Sequence, residues 1–110
     1  MTRSERDSTI QIEDDGGQVL ASAEITPTEN AGVVHSDLHV EAGHLPTGTR
    51  SRLVDAVLEH PTVGSAETLV ATMPISDTEM LDRVRERADD VEARAAGATK
   101  IVEAHLDRES

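Results

Sequence analysis

The sequence predicts an α/β (α+β) fold, a mixed but largely antiparallel sheet of about five to six strands with two helices. Three observations point there. Apolar side chains alternate with period two over three segments between Ser8 and Val40. The period changes to 3.6 after the turn Gly43-His44-Leu45-Pro46-Thr47-Gly48. Strand and helix patterns then recur once each between Glu67 and Ala88, before an apolar-spaced C-terminus.

With 110 residues the chain is sized for one domain and one core. Residues 1–8 and 107–110 read as tails and 9–106 as a single domain. Ile10 and Ile12 mark the inner face of a strand that begins near Ser8 and ends at Glu13. Asp14-Asp15-Gly16-Gly17 supplies a hairpin turn. The return strand spans about Gln18 to Thr26, and Pro27 to Gly32 form a second turn. In the strand Val33 to Val40, Val34, Leu38 and Val40 share one face, with His35, Asp37, His39 and then Glu41 on the other.

Leu53, Val54, Val57 and Leu58 define an amphipathic helix from about Thr49 to His60, which Pro61 should stop. Glu67 to Ile75 is apolar on both faces, as expected of a central strand covered on both sides. Ser76-Asp77-Thr78-Glu79 has the form of a capping box with Ser76 as its hydroxyl. Met80, Leu81, Val84 and Ala88 follow along one helix face. The end reads two ways: the helix continues through Val91–Ala96, or Asp89-Asp90 stops it and a hairpin closes around Gly97. The expected core is Leu53, Val57, Leu58, Leu69, Ala71, Met73, Leu81 and Val84.

Composition narrows the function. There is no Phe, Tyr or Trp, so the core rests on aliphatic side chains, and a small aliphatic core favours a homodimer that shares apolar surface. A net charge of −12 repels phosphate backbones and anionic lipids, which excludes nucleic acid and membrane surfaces as partners. The absence of cysteine removes disulfides, thiolate metal sites and Cys nucleophiles. No apolar run reaches membrane-spanning length and no secretory leader follows Met1, so the expected address is cytoplasmic.

The order strand, strand, strand, Gly-containing turn, helix, strand, helix, strand resembles the GNAT (Gcn5-related N-acetyltransferase) core from its second strand onward. Val33 to Val40 is similar to that family's fourth strand, Leu45 to Glu59 to its cofactor loop and third helix, and Ala66 to Ala88 to its fifth strand and fourth helix. The resemblance covers residues 9–106 and lacks the family's first strand and first two helices. It implies an acyl-CoA pyrophosphate held on the backbone amides of Thr47, Gly48, Thr49 and Arg50 at the helix N-terminus. Of the three loop positions only Gly48 matches; Leu45 replaces a polar residue, and Arg50 stands where Gly or Ala lets phosphate approach. The loop is therefore expected to act as a plain turn with no cofactor, acetyl-CoA being the group the resemblance allows.

The family's usual phenolic acid falls on Val84, counting from Asp77, and Ala88-Asp89 stand where it reads Gly-Phe. Glu41 or Asp37 occupies the place of a general base. The resemblance thus implies a domain with degraded acyl-CoA-binding and catalytic features, acting as a dimeric structural module or on an unknown protein partner. In a homodimer the missing elements would be replaced by a second copy. The alternative is an acyl-CoA-dependent N-acyltransferase. A third reading comes from spacing alone: His35, Asp37 and His39 lie about 7 Å apart in steps along one strand face, and Glu41 or His44 could complete a zinc site.

Overall fold

The computed structural model describes residues 8–30, 32–43 and 45–106. Alternation becomes strand where the sequence places it: β1 (Ser8–Glu13), β2 (Val19–Pro27) and β3 (Val33–Val40) form an antiparallel meander. Ser8, assigned to the tail by composition, begins β1 and pairs with Ile25. Asp14 builds the first turn, its Oδ1 accepting from the amides of Gly16 at 2.8 Å and Gln18 at 2.9 Å.

The first helix, α1 (Thr49–Glu59), ends one residue early, and Pro61 starts rather than stops a helix. It sits at the first position of a short α2 (Pro61–Gly64), where its missing N–H is no loss. His60 Nδ1 accepts from the Thr62 amide at 3.2 Å and caps that turn. The chain then enters β4 (Thr68–Pro74), parallel to β3, and α3 (Glu79–Arg87). The hairpin reading of the C-terminus holds: β5 (Asp90–Ala96) and β6 (Thr99–His105) turn about Gly97, and β6 inserts beside β4. The sheet order is β1-β2-β3-β4-β6-β5, so the described residues form six strands with three helices where two were expected.

α1 packs over β1, β2 and β3, α3 over β5 and β6, and the two helices meet each other on the same side. Beneath them lie Ala23, Ile25, Val34, Leu38, Leu69, Ala71, Met73 and Val102, with Leu53, Val57, Met80 and Val84 pointing down from the helices. Leu58 and Leu81, expected in the core, are half-buried at its margin. They occupy the flanks of their helices, while Val54 and Met80 take the inward positions at 1% and 0% exposure.

The expectation that β4 is covered on both faces is overturned. Leu69, Ala71 and Met73 are buried, whereas Thr68, Val70, Thr72 and Pro74 remain half-exposed on a face that no described helix covers. Cross-strand neighbours on that open face are Thr26, His35, Asp37, Glu24, Ser22 and His39, side chains that tolerate water. On the helix-covered face Ser36 is fully buried, and its hydroxyl has no hydrogen-bond partner among the described residues.

Candidate functional site

The parallel pairing of β3 with β4 runs from Val33↔Thr68 only to Asp37↔Thr72. Beyond it β3 continues to Val40 and β4 to Pro74, each still paired on its outer side, to Ala21 of β2 and Thr99 of β6. The two strands therefore part at their carboxyl ends. In open sheets, ligands bind in such a crevice. A cleft of about 270 Å³ lies there, lined by Val40 and Pro74 from the strand ends, Arg50 of α1, and Ser76, Asp77, Thr78 and Glu79 before and at the start of α3.

The loop entering α1 sets one wall. Gly48 holds φ +89° and ψ −4°, a left-handed conformation that glycine adopts without Cβ penalty. Thr49, expected to offer an amide to ligand, is 1% exposed; its N–H and hydroxyl both donate to the Pro46 carbonyl, at 3.2 and 2.8 Å. It braces the loop. Thr47 is exposed at the loop tip and does not line the cleft. The next two amides, of Arg50 and Ser51, have no acceptor among the described residues, while that of Arg52 closes the first helical turn onto Gly48. Arg50 is the one residue of the predicted loop set that lines the cleft.

The other wall is built around Asp77. The expected capping box does not form: α3 starts at Glu79, and the carboxylate of Asp77 takes the Met80 amide on Oδ1 at 2.9 Å. Ser76 lies too far before the helix to serve, and Glu79 turns to the Ser51 hydroxyl at 3.4 Å. Asp77 Oδ2 accepts from Arg50 Nε at 2.8 Å, joining the starts of α1 and α3 across the cleft. Behind Asp77, Lys100 of β6, the only lysine of the chain, is 7% exposed and donates its ammonium to the Asp77 carbonyl. Sequence reading missed both residues. The signals were a lone lysine on an inward strand position and an aspartate inside a capping string.

The candidate catalytic carboxylates stand elsewhere. Asp37 is exposed on the open sheet face opposite Glu24, and Glu41 is exposed just past β3 with Oε2 3.4 Å from His39 Nε2. Neither lines the cleft. Val84 is buried at 2% exposure, so no proton donor occupies the inward face of α3 at that position. His35, Asp37 and His39 do share one face. His35 Nε2 instead lies 3.2 Å from Thr72 Oγ1, His44 falls outside the described residues, and among the described residues no group of three or more His, Asp or Glu converges as a metal site would.

The overall fold of the chain is shared with solved acetyltransferases. An N-acetyltransferase from Staphylococcus aureus matches over 96% of this chain and 70% of its own, with TM-score 0.65 at 15% identity. The chain has the GNAT fold. A Klebsiella pneumoniae protein assigned as an acyl-CoA N-acyltransferase matches 96% of this chain and 76% of its own, with TM-score 0.70 at 13% identity. The GNAT phosphinothricin acetyltransferase of Sinorhizobium meliloti, solved with acetyl-CoA, matches 89% of this chain with TM-score 0.63 at 13% identity. This chain spans 60% of that enzyme's length. No protein-family profile and no curated protein sequence matches the chain. No described helix is long and apolar enough to cross a membrane.

Proposed function

We propose that this GNAT-fold domain binds the phosphate-bearing end of an acyl-CoA, or of coenzyme A itself, without the residues of an efficient acyltransferase. One observation carries the reading: Arg50 lines a cleft where β3 and β4 part, at the start of α1, where the amides of Arg50 and Ser51 have no acceptor among the described residues. A helix N-terminus with free N–H groups favours an anion, and here a cationic side chain stands beside it. Coenzyme A would supply a thiol or thioester at the far end of its arm. The chain's own residues would hold the phosphates and leave the arm along the gap between Val40 and Pro74.

Absence of Tyr, Cys and a carboxylate in the cleft other than the ion-paired Asp77 and the exposed Glu79 favours binding over turnover. Acetyl-CoA at millimolar concentration should raise the melting temperature by mass action. A melting curve that acetyl-CoA leaves in place at that concentration overturns the reading.

A second reading concerns assembly. Six of the seven residues of β5, at the sheet edge, are exposed, and no helix among the described residues covers the sheet face carrying Val70 and Thr72. Unpaired edges and bare faces invite pairing with a second copy, so we propose a homodimer, tested by light scattering; a monomer mass at micromolar concentration rejects it.

A further inference from the structure

Arg50 uses only part of its hydrogen-bonding capacity. Its Nε donates to Asp77 Oδ2 at 2.8 Å, and its two terminal amino groups have no acceptor among the described residues. The side chain is 33% exposed and lines the cleft, so those amino groups border the space a ligand would enter. A guanidinium held at Nε alone keeps its terminal fork free for the paired contacts that phosphate oxygens favour.

Asp77 is well placed to hold it. Its side chain is 4% exposed, its Oδ1 is fixed by the Met80 amide at the start of α3, and its carbonyl is fixed by the buried ammonium of Lys100. With Oδ1 held by the Met80 amide and the Asp77 main chain held by Lys100, the buried carboxylate has little freedom to turn, so the partner on Oδ2 inherits a defined orientation. Locally the charges of Arg50 and Lys100 exceed that of Asp77 by one, in a chain whose net charge is −12. Glu79, exposed at the rim, returns one negative charge but spends an oxygen on the Ser51 hydroxyl.

Resting on the coenzyme-binding reading above, we infer that Asp77 is a positioning residue, which aims the terminal amino groups of Arg50 at the phosphates of a diphosphate-bearing ligand. On this view Arg50 compensates for the small residue its position lacks, by a side-chain contact where a closer backbone approach is closed off.

The test is a calorimetric titration of coenzyme A into the wild type, Asp77→Asn, Arg50→Ala and the double variant. In Asp77→Asn the side-chain oxygen can still cap Met80, so α3 keeps its start, but the new amide group opposes Arg50 Nε and releases the guanidinium. A circular dichroism melt checks that each variant folds. The expected result is about tenfold weaker binding for Asp77→Asn and for Arg50→Ala, with no further loss in the double variant. Such coupling is absent when Asp77 serves the fold alone. Binding to Asp77→Asn that equals or exceeds the wild type overturns the inference and leaves coenzyme binding standing; the ion pair is then a bar across the site. Equal losses that add in the double variant overturn it too. No heat from the wild type at millimolar coenzyme A overturns both readings together.

Discussion

Arg83 grips Asp55 by a two-pronged ion pair, Nε to Oδ1 at 2.8 Å and Nη2 to Oδ2 at 2.9 Å, which clamps α3 onto α1. Arg87 adds a third bond to Oδ1 at 2.7 Å. The hydrogen bonds from Arg83 hold the Asp55 carboxyl below the usual aspartate value; partial burial opposes them, and Arg87 assists. A depressed carboxyl contributes stability in full above the unfolded value, about 3.9, and loses it as the pH falls through the lower folded value. Asp55→Asn should therefore melt a few degrees below wild type at pH 7, and the gap should close in acid below about pH 4. A gap of constant size across that range would show that the carboxylate charge is not what matters.

The aliphatic core leaves little redundancy. Leu53 and Leu69 are 0% and 2% exposed. Truncating either to Ala should cost about 2–5 kcal/mol in urea unfolding, since transfer and cavity terms add. Leu58→Ala, at the half-buried margin, should cost less than half as much. Equal losses at Leu58 and Leu53 would contradict the packing of α1.

Ser36 offers a gain. Its hydroxyl is buried between Ile25 and Ala71 of the flanking strands with no partner among the described residues. Ser36→Ala removes that unsatisfied group at nearly constant volume and should stabilise by about 1 kcal/mol. A loss of similar size in chemical denaturation would reveal a partner for the hydroxyl.

Gly48 tests the loop. A Cβ there would meet nothing within 4 Å, so the cost of substitution is backbone strain at φ +89° rather than a clash. Gly48→Ala should lose about 1–2 kcal/mol of stability, and Gly48→Asn less, because Asn tolerates the left-handed region. If Asn costs as much as Ala, the left-handed geometry is not what demands glycine.

Charge makes the last prediction. A net charge of −12 on 110 residues is self-repulsive, and salt screens it beyond about 10 Å at 0.1 M. The melting temperature should rise from low to molar NaCl. A fall would mean that clamps such as Arg83–Asp55 outweigh the net repulsion.

Local periodicity and turn chemistry by themselves determined the strands β1 to β4, the helices α1 and α3, and the inward faces of β1 and β3. Those features depend on spacing between near neighbours, and Ile10, Val34, Leu53 and Leu69 show it directly. Tertiary structure decided what spacing could not carry. Residues 90–96 have helical propensity, yet they form β5 because β6 offers a ladder of partners from Asp90↔His105 to Ala96↔Thr99. Val70 and Thr72 lie half-exposed because both large helices took the same side of the sheet, a choice no strand pattern records. The site followed the same rule: Gly48 and Arg50 were legible as a loop, while the pairing of Arg50 with Asp77, 27 positions away, exists only once β4 brings the starts of α1 and α3 together.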